Sequence, residues 1–148
     1  PFMMSKLYQL LAISLFIFSL SACKKEAKPI SITGKWFMKS YIAISYINGV
    51  ADTTEKYSLS VPDTAYYYEF YEGGKGLEAA NPFINVVFNY SISGSNLILP
   101  APLDRIPATS TITKPDYTDM ILKGSTNFPS SSGNSYKMVQ ELHLTEQY

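Results

Sequence analysis

The chain has 148 residues, and its twelve Lys plus Arg balance twelve Asp plus Glu. The charges are scattered without blocks, which leaves no electrostatic footprint for nucleic acid. With 12 Tyr, 8 Phe and only 16% charged residues, the composition suits pleated, half-buried strands and argues against disorder.

An apolar run from Leu7 to Leu20 follows the single positive charge of Lys6, the order of a secretory signal, and initiation is expected at Met3 or Met4. Its fourteen residues fall short of the roughly 20 that an α-helix needs to cross the hydrocarbon core. The segment Leu20-Ser21-Ala22-Cys23 resembles the bacterial lipobox. That resemblance implies a signal peptide over residues 1–22, a diacylglycerol on the Cys23 sulfur and a mature chain that begins at Cys23. It is the only cysteine, so no internal disulfide competes for it. Acyl chains contribute about 0.8 kcal/mol per buried methylene, and two or more make a stable anchor. Replacing the thiol by Cys23→Ser is expected to leave the protein unprocessed or shed from membranes; a variant that fractionates with membranes at its mature mass would refute the anchor. The following Lys24-Lys25-Glu26 is similar to export tags that send some lipoproteins of Gram-negative bacteria to the cell surface, against a periplasm-facing alternative. Either way the expected location is the envelope, at the outer membrane.

About 125 residues remain after the signal, the size of one domain. Residues 23–31 read as the lipidated cysteine and a flexible tether, and residues 32–148 as the folded domain. Trp36 to Ile47 alternate as a long strand, with Trp36, Met38, Ser40, Ile42, Ile44 and Tyr46 on one face and Phe37, Lys39, Tyr41, Ala43, Ser45 and Ile47 on the other. Asn48-Gly49 predicts a tight turn, and Asp52, Thr53 and Thr54 a polar loop. Tyr57, Leu59 and Val61 alternate next; Pro62-Asp63 breaks the run before an aromatic strand from Tyr66 to Tyr71. Gly73-Gly74-Lys75-Gly76 lacks the spacing and the following helix of a phosphate loop, so it reads as a hairpin connection.

From Ile84 to Ile92 the alternation is the cleanest in the chain, with Ile84, Val86, Phe88, Tyr90 and Ile92 facing one way. Ser93-Gly94-Ser95-Asn96 is a turn and Leu97 to Leu99 its partner strand. Pro100, Pro102 and Pro107 make the next stretch a loop barred from a central ladder. Thr109 to Thr113 and Tyr117 to Lys123 read as strands joined by Lys114-Pro115-Asp116; residues 127–134 read as a mobile loop, and Tyr136 to Thr145 as the last strand. With no sustained helical period and turns at intervals of roughly ten residues, the pattern is that of an all-β antiparallel meander, in a barrel or a sandwich. A barrel is preferred because closure removes exposed edges.

Ile32-Thr33-Gly34-Lys35-Trp36 is similar to the Gly-x-Trp opening of lipocalins. With Tyr71-Glu72-Gly73-Gly74-Lys75-Gly76 and the hairpin from Tyr90 to Leu97, the mature chain resembles the small lipocalin-like lipoproteins of Gram-negative bacteria. The resemblance implies a lipocalin-like barrel of about eight strands whose Trp36 closes one end under a stacked arginine from a late strand; here the only arginine, Arg105, lies in the proline-rich loop and the last strand offers Lys137.

No catalytic, metal or cofactor constellation stands out. His143 is the only histidine and no local motif supplies it with a nucleophile; a lone histidine also disfavours zinc. Glu69, Glu72 and Glu78 lie near one hairpin, where solvated charges are the plainer reading than a glycosidase pair. Tyr66, Tyr67, Tyr68 and Tyr71 could line a pocket or simply pack as a cross-strand ladder. Asp52-Thr53-Thr54 and Asp63-Thr64-Ala65 resemble sites of O-linked sugar attachment and are expected in loops. The leading expectation is a non-catalytic binding module, held to the membrane by Cys23, that takes a small apolar or stacking ligand among Trp36, Tyr66, Tyr68, Phe70, Phe88 and Tyr90. The alternative is a packed barrel that acts through its outer surface on a protein partner.

Overall fold

Side chains alternate across a strand, so a run with one apolar residue in two buries one face and wets the other. In the computed structural model, which describes residues 30–80, 84–129 and 133–146, that rule produces nine antiparallel strands among the described residues. They are β1 (Gly34–Ile47), β2 (Val50–Tyr71), β3 (Lys75–Ala80), β4 (Ile84–Asn89), β5 (Ser91–Ser93), β6 (Asn96–Ile98), β7 (Thr109–Thr113), β8 (Asp119–Phe128) and β9 (Tyr136–Glu146). The signal segment, Cys23, Lys24-Lys25-Glu26 and the tether up to residue 29 lie outside the described residues.

The strands form one sheet in the order β4-β3-β2-β1-β9-β8-β7-β6-β5. Its two outer strands are halves of one segment: Ile84–Asn89 pairs with β3 and Ser91–Ser93 with β6. The meander therefore curls into a lipocalin-like barrel of eight strands if Ile84–Ser93 counts as one. Tyr90 is the kink between the halves, its N–H donating to the Gly74 carbonyl at 2.7 Å. The expected single strand from Ile84 to Ile92 is thus divided, because one stretch serves two neighbours. Val86, expected inward, is 42% exposed.

β1 departs from the simple alternation. Neither β2 nor β9 offers a partner to Lys39, and this bulge shifts the pleat by one residue. The core-facing set is Trp36, Met38, Tyr41 and Ala43, not the expected Trp36–Met38–Ser40–Ile42 face, while Phe37 is buried against the Tyr67 ring. Asn48 (φ 51°) and Gly49 (φ 81°) make the predicted tight turn. The predicted loop over Asp52–Thr54 is instead strand: β2 starts at Val50 and follows β1 down its length, with a register shift beside Asp52. Thr53 and Thr54 pair with Ser45 and Ile44, and Asp52 is tolerated in the strand as the unpaired bulge residue. Pro62-Asp63 does not end the strand either, yet the register against β1 slips on both sides of the Met38–Asp63 pair. Both Asp-Thr motifs therefore lie in β2 and not in loops. β8 runs to Phe128, so Asn127 and Phe128, expected in a loop, are paired with Lys137 and Tyr136.

The core gathers Ile32, Trp36, Met38, Tyr66, Tyr68, Phe70, Phe88, Leu97, Leu99, Ile106, Ile112, Met120, Leu122, Leu142 and Leu144. Gly76 belongs to its design: a Cβ there would lie 2.4 Å from Cζ of Phe88, so only glycine lets that ring cross β3. Ile30, two residues before the expected start of the domain, packs against this core.

Candidate functional site

The barrel has two unlike ends. At one, Trp36 is 1% exposed and donates its indole N–H to the Ile32 carbonyl at 2.8 Å. The cation over its ring is the ammonium of Lys114, 4.8 Å from the centroid, which also donates to the Ser31 carbonyl at 3.3 Å. Lys137 pairs with Tyr46 and Asn127 at the far end of the molecule. The loop from Lys114 thus supplies the cation that the lipocalin resemblance assigned to a late-strand arginine.

Around Trp36 the interior is filled by rings. Phe70 meets Phe88 at 5.7 Å and Tyr90 at 5.2 Å, and Tyr66 meets Tyr68 at 5.6 Å. The six residues expected to line a ligand cavity are therefore brought together, and they pack on one another; the grooves described below are lined by none of them. Tyr90 also donates its hydroxyl to the Tyr71 carbonyl at 2.9 Å.

Glu78 lies among these rings at 3% exposure. It faces Tyr68 across the β2–β3 ladder, and the hydroxyls of Tyr66 and Tyr68 donate to its Oε1 at 2.5 and 3.0 Å. The expectation of a solvated Glu78 fails because the alternation Gly76, Glu78, Ala80 points inward. Glu69 is on the opposite face of the sheet, where it accepts a bond from Tyr71, so the two carboxylates cannot flank one substrate bond. Burial, reinforced by the Glu78 bond, raises the Tyr66 pKa, and burial holds that of Tyr68 well above its ordinary value. A phenol held neutral by the fold stabilises it fully below the unfolded value of about 10; above that, the unfolded chain ionises while the folded one does not. Stability is thus expected to fall from pH 10 upward by about 1.4 kcal/mol per pH unit for each tyrosine. Denaturant melts from pH 8 to 11 check this, and a Tyr66→Phe, Tyr68→Phe double variant should flatten the fall.

The second end is capped by the proline-rich loop. Ile106 is fully buried, and the Arg105 guanidinium lies 4.4 Å from the Tyr66 centroid and 5.5 Å from that of Tyr41. Gln140, 5% exposed, donates to the Tyr41 hydroxyl at 3.0 Å and to the Asp104 carbonyl at 3.5 Å. Cation–π contact and these bonds hold the loop across the barrel.

Beyond this cap the sheet continues. β1 and β2 run to Ile47 and Val50, and β8 and β9 to Phe128 and Tyr136, whereas β3 and β7 end beside Tyr66 and Gly124. The face that lines the barrel thereby opens into a groove of about 350 Å³ whose walls include Ser45, Ile47, Thr53, Phe128, Tyr136 and Met138. Around the same tip, a second hollow of about 530 Å³ lies against Tyr46, Val139 and the other sides of Phe128 and Tyr136.

No family model, curated protein or solved structure matches the chain.

Glu141, His143 and Lys123 hold one another on the outer wall. Glu141 binds His143 at 2.8 Å and Lys123 at 2.9 Å, and these two partners hold its carboxyl below the ordinary range. His143 is the cross-strand neighbour of Ser40, with no hydrogen bond between their side chains among the described residues. Among the described residues no group of three metal-ligating side chains occurs. Sequence reasoning missed the groove because it treated Asp52–Thr54 and Asn127–Phe128 as loops. The signal available was the continued alternation Tyr136, Met138, Gln140, Leu142, which gives the last strand an inward face longer than the barrel needs.

Proposed function

We propose that the protein is a non-catalytic binding module of the cell envelope, anchored through acylated Cys23, and that it holds a small, largely apolar ligand in the groove beyond the barrel cap. The observation that carries this reading is the groove itself: an opening walled mainly by Ile47, Met138, Tyr136 and Phe128, with Asp52 and Lys137 as the charged residues of its lining. Sites for small ligands combine such apolar lining with few polar groups, here Ser45, Asp52, Thr53 and Lys137. The interior, by contrast, is occupied by Trp36, Tyr66, Tyr68, Phe70, Phe88 and Tyr90. That filling favours one second reading, a packed barrel that serves a protein partner through its outer surface.

Native mass spectrometry of the protein released from its own membrane separates these. A mass excess lost on denaturation, and absent from a folded Met138→Arg variant, is the expected result. An excess that survives Met138→Arg would take the ligand out of the groove. A wild-type protein with no excess would favour the packed-barrel reading.

A further inference from the structure

We propose that the Trp36 end of the barrel is a membrane-resting face, with Tyr117 as the side chain that enters the lipid headgroup layer; this rests on the anchoring of Cys23 proposed above. The chain enters the domain at that end. Ile32 is 1% exposed beneath Trp36, and the Ser31 carbonyl is held by Lys114. Only residues 24–29 separate Cys23 from Ile30, and seven steps of extended chain reach roughly 25 Å at most. The domain therefore sits within that distance of the bilayer, Trp36 end first.

Lys114 opens the turn that carries Tyr117, so the entry point and Tyr117 are joined through one residue. Tyr117 is 88% exposed. Its turn is fixed from within: Asp116 Oδ1 accepts the N–H of Thr118 at 2.8 Å, the hydroxyl of Thr118 at 3.0 Å and the N–H of Asp119 at 2.8 Å. A ring presented by a rigid turn loses little conformational freedom on insertion, and tyrosine, apolar in body and polar at its tip, favours the membrane–water interface. Tyr71, 41% exposed, lies at the same end. The neighbouring charges are mixed, Glu72 and Asp116 against Lys75 and Lys114. The surface recognised is thus the lipid interface itself, and salt should not release it.

The test uses the full acylated chain in phosphatidylcholine vesicles whose acyl chains carry bromine near the headgroup. Tyr117→Trp and, at the opposite end, Val50→Trp are compared with the wild type, whose buried Trp36 sets the baseline. Loss of the added emission at 117 but not at 50, unchanged by salt, is expected. No loss at 117 in vesicle-bound protein, or equal loss at both positions, overturns the proposal. Protein that neither sediments with vesicles nor carries acyl mass refutes the anchor, and the resting face falls with it.

Discussion

Trp36→Ala is expected to be among the most damaging substitutions in the chain, at about 3–5 kcal/mol, the range for emptying a buried aromatic site. The indole is 1% exposed and lies beneath the Lys114 ammonium. Its removal opens a void at the barrel's end, strips the Ile32 carbonyl of its donor and takes the π face from Lys114. The first effect dominates, since a net hydrogen bond contributes only about 1 kcal/mol. Trp36→Phe should recover most of the loss because it restores volume. Urea melts of the three proteins decide the matter, and a Trp36→Phe variant as weak as Trp36→Ala would assign the energy to the bonds instead of the volume.

Glu78→Leu is the second large effect. The carboxyl at this position accepts two phenolic hydroxyls inside the barrel, and leucine leaves both without that acceptor. The two hydroxyls also lie 3.1 Å apart and can bond each other, so one donor is left without a partner and the expected loss is that of one stripped buried polar group, about 1–3 kcal/mol. Against this stands the expense of holding a carboxylate away from water, which leucine abolishes. Glu78→Gln separates the two contributions, because it keeps an acceptor while removing the charge. The expected order of stability is wild type near Glu78→Gln, with Glu78→Leu well below. A Glu78→Leu protein that melts higher than wild type would mean that desolvation outweighs both hydrogen bonds.

Much of the barrel was legible from the chain because its evidence is local. The hairpin turns at Asn48-Gly49 and around Gly73, the inward run Tyr66, Tyr68, Phe70 and the last strand's Leu142 and Leu144 each follow from alternation and turn chemistry. The misreadings share a different cause. Asp52–Thr54 is strand because β1 lies beside it, and Lys39 bulges because both neighbours skip it; neither fact is written in the residues themselves. Glu78 showed the limit of reading charges as solvated, since its surroundings come from β2, ten residues away in sequence. For the candidate site the gap is wider. The aromatic residues share one core, yet their grouping in sequence says nothing of whether rings leave room between them, and the groove depends on strand ends that only pairing determines.

The pairing of β1 with β9 also dictates when the protein can fold. Trp36 lies opposite Glu146, so the first strand finds its second neighbour only once β9, about 110 residues later, is present. Contacts so distant in sequence slow folding, since the loop must close before any of them forms. Until then β1 keeps one edge unpaired, and early termination or premature collapse would leave that edge open to other chains. Under the envelope location proposed above, this delay would be an advantage: a chain crossing a membrane unfolded could not lock its barrel on the near side before β9 had followed.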